Sequence, residues 1–127
     1  SSDNLVELCG VETILVVDDE DLLLNMAQMV LSSFGYRALT ANNGAQALAI
    51  LQQEFVDLVI TDLVMPNMSG RELIERIRLV SPEIKIICSS GYTRPKNQPE
   101  EFYLKKPFTA QDLLRKVRQA FTAEQPA

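Results

Sequence analysis

The run TILVVDDEDLLLNMAQMVLSSFG, Thr13 to Gly35, decides the fold class. Thr13 to Val17 is apolar or β-branched throughout, the composition of a strand covered on both faces. Asp18, Asp19, Glu20 and Asp21 follow at once. Leu23, Met26, Ala27, Val30 and Phe34 then recur at helical spacing, and Gly35 supplies a natural helix stop. A buried strand feeding a helix through an acidic turn is the opening unit of a parallel sheet, because parallel strands need helical crossovers.

The same alternation continues downstream. YRALTA (Tyr36 to Ala41) reads as a second strand. Asn43 with Gln46 has capping-box spacing, and Leu48 and Leu51 share one helical face behind it. FVDLVIT (Phe55 to Thr61) is a third strand and runs into the loop DLVMPNMSG. Ser69 and Glu72 begin a helix whose stripe is Leu73, Ile74, Ile77 and Val80, and which stops before Ser81-Pro82. IKIICSS and FYLK are the fourth and fifth strands. Thr109 and Asp112 open a last helix with the stripe Leu113, Leu114, Val117, Ala120 and Phe121. The order implies a doubly wound parallel sheet with right-handed crossovers and helices on both faces. Residues 13–122 form one domain; residues 1–12 read as a linker or tail, and 123–127 as a C-terminal tail.

Bulk composition narrows the function. The chain has 127 residues, a net charge of −5 and no histidine. The charge argues against nonspecific nucleic-acid binding. Without histidine, no side chain can be a phosphohistidine, an imidazole base or an imidazole metal ligand. Two cysteines, Cys9 and Cys88, make no disulfide framework and suggest a reducing, cytoplasmic setting. No apolar run approaches a membrane span of roughly 18 residues.

In such sheets ligands collect at the carboxyl ends of the strands. Asp18 and Asp19 follow strand 1, Asp62 strand 3, Ser89 and Ser90 strand 4, and Lys105, Lys106 and Pro107 strand 5. Any one of these could be a cap, a turn residue or a surface cation. Together they gather three carboxylates, a hydroxyl and an ammonium at one end of the sheet. Carboxylates so placed repel one another and call for a cation. Oxygen-only ligands point to a hard ion, Mg²⁺ or Mn²⁺.

ILVVDDED, DLVITDLVMPNMSG, IICSSGY and YLKKPF together resemble the receiver domains of two-component response regulators, over about Thr13 to Phe121. ETILVVDDED further resembles receivers attached to hybrid histidine kinases. The resemblance implies a flavodoxin-like (CheY-like) sheet of order 2-1-3-4-5. It implies that Asp62 accepts a phosphoryl group, that Asp18, Asp19, Asp62 and the Val64 carbonyl hold Mg²⁺, and that Lys106 contacts a phosphoryl oxygen. Ser90, before Gly91, matches the switch hydroxyl and Tyr103 the aromatic that accompanies it. The implied partner is a histidine kinase or a histidine phosphotransfer domain. A degenerate receiver serving only as an interaction module is the main alternative, and the intact acidic and basic positions argue against it. A haloacid-dehalogenase-like phosphatase would want an aspartate where Val64 stands.

Two departures from the family pattern carry expectations. Val64 and Tyr92 flank the path of a hydrolytic water without being able to orient it, so the aspartyl phosphate should be long-lived. The family's fourth helix should cross over between Gly91 and Glu101, a stretch of 11 residues holding Pro95 and Pro99. That is short for a crossover, and Thr93 to Glu101 has no apolar stripe. An extended loop with one turn near Pro99-Glu100-Glu101 is expected. Its thinness should uncover apolar side chains among Ile84, Ile86, Cys88, Phe102 and Leu104. A patch on the order of a few hundred Å² there would invite a second copy or a neighbouring domain, the alternative being that the loop itself folds over the gap with Tyr92 and the proline rings.

Overall fold

The computed structural model describes residues 5–126. In chain order it contains α1 (Leu5–Leu8), β1 (Thr13–Val17), α2 (Asp21–Ser33), β2 (Arg37–Ala41), α3 (Gly44–Gln53), β3 (Leu58–Asp62) and α4 (Gly70–Val80). There follow β4 (Lys85–Ser90), a single 3₁₀ turn (Glu100–Phe102), β5 (Tyr103–Lys105) and α5 (Ala110–Thr122). The five strands are all parallel in the order β2-β1-β3-β4-β5. This is the CheY-like flavodoxin architecture, with the strand order that the family resemblance implies.

Strand alternation divides the core into two faces. Ile14, Val16, Leu58, Ile60 and Ile87 pack with Leu24, Ala27 and Leu31 of α2 and Leu113 and Val117 of α5. Leu15, Val17, Val59, Ile86 and Cys88 pack with Ala47 of α3 and Leu73, Ile74 and Ile77 of α4. Helix ends are fixed locally. Asn43 accepts from the Gln46 amide, Ser69 from the Glu72 amide, and Thr109 with Asp112 closes a full capping box. Gly35 ends α2 at a φ of 99°, where a side chain would be strained.

Several boundaries differ from the sequence reading. The buried centre of the α2 stripe is Leu24, Ala27 and Leu31; Leu23, Met26, Val30 and Phe34 flank it. The Leu22-Leu23-Leu24 run fits more than one helical phase, so periodicity alone does not select it. β3 starts at Leu58, and Phe55 is 76% exposed. Asp57 explains this: its amide bonds the Thr13 carbonyl and its carboxylate accepts from the Thr13 amide, so the chain joins the sheet only there. Val80 is also exposed, because α4 ends there and turns away from the sheet.

The Gly91–Pro99 segment is a loop without helix, and the 3₁₀ turn at Glu100–Phe102 supplies its one turn. The expected apolar patch is absent. Ile84, Ile86, Cys88, Phe102 and Leu104 are all buried. Two causes act. Phe102 and Leu104 turn to the α5 face, and α4 covers Ile86 and Cys88. Gln98 then closes the remaining gap, donating to the Phe102 carbonyl at 2.9 Å and accepting from the Cys88 thiol at 3.4 Å. The loop is thus fastened to the sheet by an amide side chain, with Tyr92 left outside.

Both chain ends add to the domain. Leu8 is buried beside Tyr36, whose hydroxyl donates to the Leu8 carbonyl. Arg118 of α5 holds Glu12 at 2.9 Å. At the other end Gln125 pairs with both backbone groups of Ile86 at 2.9 Å, as a neighbouring strand would. Lys85 donates to the carbonyls of Ala120, Phe121 and Ala123, placing a cation at the negative end of α5.

Candidate functional site

β1 and β3 are neighbours in the sheet, so the residues just past them meet. The Asp18 amide is tied to the Ala41 carbonyl, and the Leu63 amide to Ser89. These bonds hold both turns against the sheet. Asp18 and Asp62 are buried, at 2% and 6% exposure, while Asp19 is exposed. One carboxylate oxygen from each of Asp18, Asp19 and Asp62 lies within 4.8 Å of the others. Lys106 Nζ enters between them, 2.6 Å from Asp18 Oδ2 and 3.2 Å from Asp62 Oδ2. Lys106 follows directly on β5, which ends at Lys105, and so stands at the same end of the sheet as the three carboxylates.

The charges shift each other. Burial pushes the Asp62 carboxyl above its ordinary value, and Asp18 adds to the push; Lys106 and the Val64 amide act against it. For Lys106 burial works downward, but the bonds to Asp18 and Asp62 outweigh it and its pKa rises. Asp62 Oδ1 accepts from the Val64 amide at 3.3 Å and Asp18 Oδ1 from the Glu20 amide at 2.9 Å. Three carboxylates against one ammonium leave an excess of negative charge. The donor set is all oxygen and partly exposed through Asp19, which fits Mg²⁺.

Ser90 and Tyr103 form a second cluster beside the first. Ser90 Oγ lies 2.8 Å from the Tyr103 hydroxyl, which donates to the Tyr92 carbonyl at 2.6 Å. Tyr103 is buried. In this structure Ser90 therefore faces Tyr103 rather than Asp62. Ser89 points the other way and donates to the Leu104 carbonyl. The Tyr92 carbonyl is a partner the sequence did not announce, since a backbone acceptor leaves no residue-type signal. Val64 and Tyr92 carry exposed side chains, 58% and 71%.

Gly70 is the other residue motif reading left without a role. A Cβ there would lie 2.1 Å from the Asp62 carbonyl oxygen and 2.7 Å from Leu63 Cα. The start of α4 is pressed against the backbone of Asp62, and only glycine fits between them.

Residues 14–118 match the family model described as the response regulator receiver domain. The Brucella abortus sensor kinase CckA is 36% identical over 121 residues, 89% of this chain but 13% of that protein. The chain therefore spans only a small part of that relative. Among solved structures, the Vibrio cholerae chemotaxis response regulator CheY4 superposes with a TM-score of 0.80 at 29% identity, covering 87% of this chain and 99% of that one. The Thermotoga maritima response regulator TrrA, solved in complex with Mg(2+)-BeF, superposes at 0.75 with 34% identity, covering 86% and 98%. Receiver domains bind Mg²⁺ at the acidic pocket and are signalling domains, generally not classed as enzymes. The acidic cluster, the lysine between its carboxylates and the 2-1-3-4-5 sheet that carries them agree with this match, and the chain belongs to the response regulator receiver domain family of two-component signalling systems.

Proposed function

We propose that the chain accepts a phosphoryl group on Asp62 from the phosphohistidine of a histidine kinase or a histidine phosphotransfer domain. The observation that carries this is the lysine bridge between two buried carboxylates, Asp18 and Asp62, at the carboxyl end of the sheet. An Asp62 carboxylate oxygen attacks phosphorus, the phosphorus–nitrogen bond of the donor breaks, and the leaving imidazole takes up a proton. The protein's part is positioning and charge neutralisation. Lys106 supplies a fixed positive charge for the transferring oxygens. Asp18, Asp19, Asp62 and the Val64 carbonyl would hold Mg²⁺, which supplies the remaining neutralisation between the acids and an anionic donor.

The new phosphoryl oxygens then offer acceptors that the carboxylate lacked. Ser90 turns from Tyr103 toward them, and Tyr103 loses one of its partners while keeping the Tyr92 carbonyl. That carbonyl belongs to the loop, so the change reaches the Gly91–Pro99 segment directly. Val64 and Tyr92 leave no side chain to orient a hydrolytic water, which supports a phosphoryl lifetime longer than seconds.

The test is incubation with Mg²⁺ and acetyl phosphate followed by intact-mass measurement. One added phosphoryl group is expected in the parent chain and none in Asp62→Asn. A chain that takes up no group would instead be an interaction module. Continuous phosphate release without an adduct would mark a phosphatase.

A further inference from the structure

We propose that the groove between α3 and α4 seats α3 of a second copy of this chain, so that two copies pair about a two-fold axis through their α3 helices. Both helices pack on the same face of the sheet, and each ends at its amino pole. A cavity of about 410 Å³ lies between them, lined by Leu48, Leu51 and Gln52 of α3 and Arg76, Leu79 and Val80 of α4. Leu79 and Val80 are 84% and 74% exposed. Beside the half-buried Leu48 and Leu51 they make a continuous apolar wall, where scattered single residues would need no explanation.

Charge selects the occupant. α3, GAQALAILQQ, is the one helix among the described residues with no charged side chain. The cation at the groove, Arg76, is already paired with Glu72 at 2.9 Å. An acidic or basic partner helix therefore finds no unmatched charge there to select it. An uncharged helix with a narrow outer face fits, and the chain itself carries one. Ala45, Ala49 and Gln52 stand on the exposed side of α3 at i, i+4 and i+7, the spacing with which a helix seats in a groove. The two alanine methyls allow an axis separation of about 8 Å, the close end of the helix-packing range. Two-fold symmetry makes the contact reciprocal, each copy giving its ridge and receiving the other's. Each chain has a net charge of −5, so two copies repel overall; a neutral helix meeting its own mate adds nothing to that repulsion. The contact is small. α3 has 10 residues and is about 15 Å long. An interface of that length falls below about 1,200 Å² in total, the range of weak and transient pairs.

The experiment is sedimentation equilibrium of the intact, unphosphorylated chain, so its outcome is independent of chemistry at Asp62. Concentrations run from about 10 µM to about 1 mM, the span of weak complexes. The average mass should rise from 14.2 kDa toward twice that value. Amide shifts of the ¹⁵N-labelled chain on dilution should centre on α3 and on residues 76–81. Ala49→Glu and Leu79→Glu, both at exposed positions, should each weaken association at least about tenfold, with the fold checked by unchanged circular dichroism. Leu22→Glu, at an equally exposed position on α2, should leave association as it is. Added salt should leave it unchanged or strengthen it, because the only charge term is the repulsion that salt screens. A mass that stays at 14.2 kDa throughout, association that survives both α3 and α4 variants, loss in Leu22→Glu, or weakening by salt would each overturn the proposal.

Discussion

At the scale of single residues, the site was legible by chemistry and its supports were not. Asp18, Asp19, Asp62 and Lys106 announce themselves because charged groups at strand ends are unusual in type as well as place. Gly70 and the Tyr92 carbonyl act through close approach and backbone geometry, which residue type does not encode. Gly70→Ala should therefore destabilise the domain by about 1–3 kcal/mol in urea unfolding, since backbone atoms block the new methyl. Gly91→Ala, with nothing within 4 Å, should stay within about 0.5 kcal/mol. Asp62 gives a pH-dependent contrast. Its folded pKa is raised, so its protonated form favours folding below about pH 4, and that contribution is lost as pH rises through the folded value. Asp62→Asn should accordingly unfold at a higher urea concentration than the parent at pH 7. The gap should close toward pH 3 and shrink when Mg²⁺ binds the parent. Cys88 is buried and its thiol is pushed up to about 11, whereas Cys9 is exposed. One thiol should react with a colorimetric reagent at pH 8 in the folded protein, and two in denaturant.

Elements were legible where periodicity and caps agreed. α5 has both: its stripe is buried as read, and its capping box is complete. Asp112 is held below the usual carboxylate range by the Thr109 amide, so its contribution is present above the unfolded value and disappears as pH falls through the folded one. Thr109→Ala should cost about 1 kcal/mol at pH 7. α2 was found but mis-phased, because three consecutive leucines leave its stripe undetermined. The loop between β4 and β5 was readable as a missing helix from its prolines and polarity. Its seal was not, because a glutamine reads as a surface residue until its partners are known. Gln98→Ala should loosen that seal, raising amide exchange at Phe102 and quickening the reaction of the Cys88 thiol without altering sheet amides.

At the scale of the molecule, alternation of strand and helix was enough to give layer order and handedness, but not the ends. Segments 5–12 and 123–126 look like tails by composition, yet Leu8, Glu12 and Gln125 bind them to the domain. Gln125→Ala removes two hydrogen bonds to Ile86 and should lower stability by about 1–2 kcal/mol. These anchorages also have a consequence for reach. β1 begins at Thr13 and α5 ends against Lys85, so both ends leave the sheet at its amino pole, while Asp62 lies at the carboxyl pole. The strands between are five residues long in β1 and β3, or roughly 17 Å. A phosphodonor fused to either end starts on the wrong side and must travel the height of the sheet. Tethers of fewer than about five residues can deliver it only to a neighbouring molecule, so the spacing of the fusion decides between transfer in cis and transfer in trans.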